Sequence, residues 1–286
     1  MKLKYLLALL SSTSGIWLVL SSLLCQYQGN SQIIPDQTLG KEHSVINSID
    51  RLKEHIEGGA IRGSNLFHSF QEFNVGENRS VYFTNPPGIE NILTRITGNN
   101  ASNILGKLGV LGEANLFLVN PNGILFGPNS SLDIRGSFIA TTADEIRLGE
   151  NGLFSVTNPQ NSNLLSVEPS ALFFNQISPS ALSLNQISVS GTGILPVISE
   201  SCLCVPSGET LGFIGREIII DSGKLKTEQG RIEIGSVGNN SLVRLENTNN
   251  YTLNYSEVEN FENIQIKNGA VVDVSGEGSG EIQLQG

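Results

Sequence analysis

The chain has 286 residues, 39% of them hydrophobic, with 31 glycines, a composition that fits an ordered, turn-rich protein and excludes disorder as a description of the whole. Charged residues make up only 15% and acids outnumber bases 27 to 17, so the phosphate-neutralising surface of a nucleic-acid binder is not indicated and no nucleic acid is expected as a partner.

Lys2 and Lys4 precede an apolar region from Tyr5 to Leu24, and the small residues Gly29 and Ser31 follow. This is the layout of a secretory signal peptide over residues 1–31, cleaved near Ser31. The apolar stretch is also long enough to serve as an uncleaved anchor, which is the lesser alternative. Beyond it the cysteines are Cys202 and Cys204. In a strand they would share a face, a bridge between them would close a strained, tiny ring, and His43, His55 and His68 lie far upstream as metal ligands. Two ordinary loop thiols are the expectation.

From residue 32 the chain reads as short strands separated by turns. Ser44 to Asn47 has the pattern of a strand, and Ile49 to Glu57 that of a helical turn. Phe67, Phe70 and Phe73 bring three rings within one short stretch; buried, each would contribute about 1.5–3 kcal/mol, and we assign them to a cap that seals the end of a core. Ser80 to Thr84 is a strand, closed by Asn85-Pro86-Pro87-Gly88. Ile89 to Thr97 reads as two apolar strands with a kink, because its β-branched residues outweigh an apparent helical spacing. Gly106, Gly109 and Gly112 then recur at every third position, which breaks any helix and suits close backbone turns.

Asn115 to Thr141 holds four short apolar runs separated by Pro121-Asn122-Gly123 and Gly127-Pro128-Asn129. Residues 145–149 and 152–156 keep the rhythm. Residues 158–207 depart from it, carrying five of the ten prolines and a direct duplication, Pro169 to Ser178 followed by Pro179 to Ser188. Proline at that density interrupts ladder hydrogen bonds, so this stretch is expected to be an insertion outside the main stack. From Gly208 the rhythm returns, and Ile218-x-Ile220-x-x-Gly223-x-Leu225 recurs as Ile264-x-Ile266-x-x-Gly269-x-Val271, a spacing compatible with two coils of about 23 residues each.

Short strands, turns rich in Gly and Asn, and no credible long helix leave a sandwich, a propeller or a parallel β-helix. Asparagines at the turns favour the β-helix, because identical amides on successive coils can hydrogen-bond along the axis. The expected fold class is therefore all-β, a parallel β-helix whose open first coil needs a cap.

Asn120-Pro121-Asn122-Gly123-Ile124 resembles the hallmark of the filamentous haemagglutinin secretion domain, the exported member of a two-partner secretion pair. Phe70 to Val75, Asn91 to Gly98, Ala114 to Leu118 and Ser137 to Thr142 are similar to other blocks of that family, and Val205 to Leu211 and Gly230 to Val237 resemble its cyanobacterial form. The family's earlier Asn-Pro-Asn-Leu motif has as its comparable region Asn85-Pro86-Pro87-Gly88-Ile89, a departure that bears on transporter contacts. The resemblance implies a right-handed parallel β-helix of the pectin-lyase-like kind with an N-terminal cap and extra-helical strands, exported through an outer-membrane partner transporter with periplasmic recognition domains, with no catalysis and no cofactor. It implies a secreted or cell-surface location, with carbohydrate on a host or cell surface as a further partner and a monomeric state.

The implied division is a signal peptide at 1–31, a secretion-domain core at 32–157, the insertion at 158–207 and further coils at 208–286, making a truncated or minimal member. We expect Asn120, Pro121, Asn122 and Gly123 to act mainly through the shape they impose, with Gly123 needed for its backbone. The competing class is a β-helix enzyme acting on polysaccharides, which would need carboxylates gathered across coils, Asp133 with Asp144 being the pair that coils could unite.

Overall fold

The structure is a computed structural model that describes residues 32–164, 166–175, 186–191, 202–248 and 250–286. The signal-peptide reading of residues 1–31 lies outside the described residues, as does much of the duplicated stretch. Among the described residues the helical elements are two single 3-10 turns, Gly40–Glu42 and Pro159–Asn161.

The strands wind as a parallel β-helix. One face is a central sheet whose parallel strands follow in chain order: Asn65–Asn74, Asn91–Ile96, Asn115–Val119, Phe138–Thr141, Thr210–Gly215, Arg231–Ser236 and Glu281–Gln285. A second face runs from Ser102–Ile104 through Ile124–Phe126, Gln186–Ser190 and Glu217–Asp221 to Ile264–Lys267. The third face is made first by Lys53–Gly58, Ser80–Thr84, Lys107–Leu111 and Ser131–Asp133, and further along by Leu203–Cys204, Lys224–Lys226 and Val271–Asp273. Inside the three faces lies a core that includes Phe70, Phe73, Phe83, Phe126, Phe138 and Phe213.

Beside this stack stands an antiparallel sheet of Gly152–Ser155, Glu145–Leu148, Pro169–Phe174, Ser241–Asn247 and Tyr251–Asn254. It packs against the outer side of the central sheet and encloses a second core containing Phe67, Leu93, Phe117, Ile139, Phe154 and Tyr251. The central strands are therefore covered on both sides, which explains why Asn91–Ile96 is buried at every position. The two strands with a kink expected over residues 89–97 are one strand: Ile92 and Ile96 face the coil interior, Leu93 faces the second core, and Ile89 belongs to the preceding turn.

Other expectations change for the same kind of reason. Where a helical turn was read over 49–57, Lys53–Gly58 is a strand, held between Ser44–Ser48 and Ser80–Thr84, with Ile56 in the core. Residues 145–156 leave the coil as an antiparallel hairpin. The stretch 158–207 only partly leaves the stack: Pro169–Phe174 joins the outer sheet, while Gln186–Ser190 sits between coil strands of the second face. The long repeat is one coil step, since Ile218 pairs directly with Ile264 and Ile220 with Ile266. The strands of the outer hairpin, 241–254, fill the extra length between them. After Gly223 the register slips by one, so Leu225 pairs with Val272 and not with Val271.

Cys202 and Cys204 form a disulfide, with their Cα atoms 5.3 Å apart. That separation lies inside the range a bridge requires, and the bridge overturns the expectation of two ordinary thiols.

Phe67, Phe70 and Phe73 do not act together. Phe70 and Phe73 pack in the coil interior with Phe83, ring centroids 5.3 and 5.9 Å from Phe73, whereas Phe67 points to the outer sheet and meets Phe154 edge-on at 5.0 Å. Odd and even positions of a strand face opposite sides. An irregular register opposite Ile34 and Pro35, which skips Gln71, restores Phe73 to the same side as Phe70.

Candidate functional site

Asn120 to Ile124 forms the corner between the central strand Asn115–Val119 and the second-face strand Ile124–Phe126. Its chain reversal is closed by Gly123 N donating to Asn120 O at 3.0 Å. Asn120 is fully buried, and its side chain works in two directions. Its Nδ2 donates to Asn100 O and Ser102 Oγ, both at 3.0 Å on the preceding coil, while its Oδ1 accepts from Asn122 N at 3.0 Å. Asn122 Nδ2 donates to Gly98 O at 2.8 Å and to Asn120 Oδ1 at 3.2 Å.

Asn120 N donates to Thr141 O on the following coil, and Gly123 O accepts from Ser102 N, each at 3.0 Å. Gly123 has φ +114°, and an added Cβ would lie 2.9 Å from Gln186 O, so both conformation and space select glycine. Ile124 is fully buried in the coil interior. Pro121 and Asn122 are half-exposed, so what this corner presents outward is a proline ring and one edge of an amide.

The variant motif lies elsewhere. Asn85 to Ile89 turns from the third face into the central sheet, a different corner from Asn120. Ile89 N donates to Pro86 O at 3.2 Å, and Gly88 at φ +82° follows Pro87 in the manner of a type II turn. In the amide orientation that satisfies both of its atoms, Asn85 caps Ala114 N and Glu113 N on the next coil at 3.2 Å. Ile89 is buried, whereas Pro87 and Gly88 are exposed.

Asparagine stacking along the axis is present, at the strand starts of the central sheet. Asn91 Nδ2 donates to Asn65 Oδ1 at 3.2 Å and Asn115 Nδ2 to Asn91 Oδ1 at 3.0 Å. Ser137 N ends the ladder on Asn115 Oδ1 at 2.8 Å. From the outer hairpin, Tyr251 Oη donates to Asn91 Oδ1 at 2.8 Å, tying a late segment of the chain to its early coils. Burial pushes the Tyr251 hydroxyl well above its ordinary value.

A second polar constellation escaped sequence reading. Arg95 is completely buried on the outer side of its strand. Its Nε donates to Ser69 Oγ at 2.8 Å, Nη1 to Ser155 O and Ser162 Oγ at 2.6 Å, and Nη2 to Thr38 Oγ1 at 2.8 Å. The guanidinium also stands over the Phe154 ring at 4.5 Å. Burial lowers its pKa to about 10. Asp36 lies one hydroxyl away: burial acts to raise its carboxyl, but hydrogen bonds from Thr38, Thr97 and Ser69 hold it below its ordinary value. An arginine inside a run of apolar residues was the available signal.

Asp133 and Asp144 have separate partners. Asp133 accepts from Tyr82 Oη at 2.8 Å, with Tyr82 lying across the strand where an added Cβ at Gly109 would come within 2.4 Å of its ring. Asp144 pairs with Arg216 at 3.0 Å. Among the described residues no group of three or more His, Cys, Asp or Glu side chains is arranged to hold a metal ion.

A family model described as the TPS secretion domain matches residues 31–284. A heme/hemopexin-binding protein of Haemophilus influenzae is 39% identical over 83 residues, which is 29% of this chain and 9% of that protein. A second protein of that description from the same species is 34% identical over 82 residues, 29% of this chain and 8% of that one. The matched stretch thus spans less than a tenth of these curated relatives. Among solved structures, the HMW1 secretion domain from Haemophilus influenzae superposes with a TM-score of 0.52 at 20% identity, covering 88% of this chain and 61% of that one. This last likeness supports the parallel β-helix.

Proposed function

The chain belongs to the TPS secretion domain family, and from that premise we propose that it is the exported member of a two-partner pair. Residues from 32 onward direct passage across the outer membrane through a dedicated partner transporter with periplasmic recognition domains. The product is secreted or held at the cell surface after removal of residues 1–31. It acts as a monomer, carries no catalytic centre, and presents an adhesive surface to carbohydrate. Recognition resides in the core at 32–157, and later coils extend the stack.

The observation that carries this reading is the Asn120 corner. Its amides hold the coil before it, and its backbone N–H holds the coil after it. A chain emerging from a pore gains such contacts one coil at a time, and folding outside can draw the remainder outward. Asn120, Asn122 and Gly123 shape the corner, while half-exposed Pro121 and Asn122 are what a transporter would meet.

Export of Asn122→Ala, measured beside its thermal melt, tests this. Loss of the bond to Gly98 O should destabilise by about 1 kcal/mol and reduce export. Normal export of a destabilised variant would count against both the structural and the recognition role. Asp133 and Asp144, the pair a polysaccharide-active site would use, are each engaged by a different partner.

A further inference from the structure

The sequence holds three Asn-Gly dipeptides, Asn122-Gly123, Asn151-Gly152 and Asn268-Gly269. Such a pair is chemically labile, because a following residue without Cβ leaves its backbone nitrogen open to attack the asparagine side chain. At the Asn120 corner the fold requires both members of the pair. Gly123 is selected by φ +114° and by the closeness of Gln186 O, and Asn122 by its bond to Gly98 O on the preceding coil at 2.8 Å. Replacing either residue to remove the lability therefore removes a corner contact.

The same contacts hold the reaction off. Cyclisation needs Gly123 N, stripped of its proton, to reach Asn122 Cγ, whereas in the folded corner that N–H donates to Asn120 O at 3.0 Å. Asn122 Nδ2 is committed to Gly98 O and, at 3.2 Å, to Asn120 Oδ1, so the amide is held in place although it is half-exposed to water. Gly98 belongs to the preceding coil. That part of the lock exists only once the coil before the corner is stacked.

We propose that Asn122 is a modification site gated by folding, deamidated in the unfolded chain and protected in the stacked coil. Gly123 N bonds to Asn122 Cγ, the Cγ–Nδ2 bond breaks and ammonia leaves, giving a cyclic imide. Water then opens the imide to aspartate or isoaspartate, with no oxidation or reduction. Neither product rebuilds the corner. Aspartate sets an acceptor oxygen where Nδ2 faced Gly98 O and Asn120 Oδ1, and isoaspartate lengthens the main chain inside the turn that Gly123 N closes. A chain kept unfolded too long loses the corner that joins its coils. Only the bearing of this on passage through a pore rests on the export reading; the chemistry does not.

The test incubates the full chain at neutral pH, folded and in urea, and follows conversion by peptide mass spectrometry in water carrying heavy oxygen, which marks imide opening. In urea the three Asn-Gly sites should convert at similar rates. Folding should slow Asn122 by about a hundredfold or more, because conversion then waits on local opening of the coil. Asn122→Asp, the product residue, should melt below the wild type. Conversion of Asn122 in the folded protein as fast as in urea would overturn the proposal. So would an Asn122 inert in urea while Asn151 and Asn268 convert, or a wild-type melt for Asn122→Asp. No transporter enters the measurement, so its failure leaves the export reading standing, and failure of the export reading leaves these rates unchanged.

Discussion

At its first coil the stack is closed by its own chain. Gln32–Pro35 and Ala60–Arg62 run antiparallel along the free edge of Asn65–Asn74, and Ser44–Ser48 does the same for Lys53–Gly58. At the last coil, Ile264–Lys267, Val271–Asp273 and Glu281–Gln285 are each the final strand of their sheets. Ile266, Val271, Ile282 and Leu284 are 41–48% exposed there. The difference teaches that capping is a matter of reversing strand direction: an antiparallel strand satisfies the edge N–H and C=O groups without offering the pattern of a further coil.

The two ends also place opposite demands on pH. His68, in the first coil, is fully buried against Phe70 and Phe83 with Nδ1 on Ser44 Oγ at 2.9 Å, and burial depresses its pKa to about 3. It must be neutral to fold. Glu233, in the penultimate central strand, is fully buried beside Arg231 and below Tyr255, and burial raises its carboxyl to about 7 against the pull of Arg231. Arg231 also pairs with Glu281 of the last strand.

The largest expected effect is on the first coil in acid. His68 contributes stability that is whole above its unfolded value of 6.5 and declines as pH falls toward 3, by roughly 4–5 kcal/mol in all. Hydrogen exchange of peptides from 65–83 should accelerate over that window, and His68→Asn should flatten the slope. A pH-independent first coil would refute the burial of a neutral imidazole.

Core truncation sharpens the contrast between closed and open ends. Phe70→Ala should cost about 3–5 kcal/mol in urea unfolding, whereas Ile282→Ser at the last coil should stay within about 0.5 kcal/mol. Comparable losses at both positions would mean that the last coil is as tightly buried as the first.

Glu233 runs the other way. Its stability contribution is whole below the unfolded carboxyl value near 4.5 and is lost as pH rises through 7, roughly 3 kcal/mol, so exchange in 231–236 should accelerate with pH beyond its intrinsic rate. Glu233→Gln should abolish the excess. A smaller effect concerns the tie between early and late segments: Asn91→Ala removes the acceptor of both Tyr251 Oη and Asn115 Nδ2 and should cost about 2 kcal/mol, read as a drop in melting temperature.

Strand rhythm, the coil architecture and the corner at Asn120 were legible in the sequence because each is written locally, in alternation, turn residues and the short spacing of Asn, Pro and Gly. The 46-residue repeat was legible as well, but its meaning was not. Sequence alone cannot say whether a long period holds two coils or one coil with an excursion, and the pairing of Ile218 with Ile264 decides for one. Tertiary structure likewise decided which side Phe67 faces, that Cys202 and Cys204 are joined, and that residues 186–190 return to the stack.

Arg95 marks the same boundary. Its strand reads as apolar because both of its sides are buried, and what a charge does there depends on Thr38, Ser155 and Ser162, brought in from segments 57, 60 and 67 residues away. Local chemistry fixes strands and turns through nearest-neighbour geometry. Which faces become interiors is fixed only when a second sheet closes over the first, since that closure is made of contacts remote in sequence.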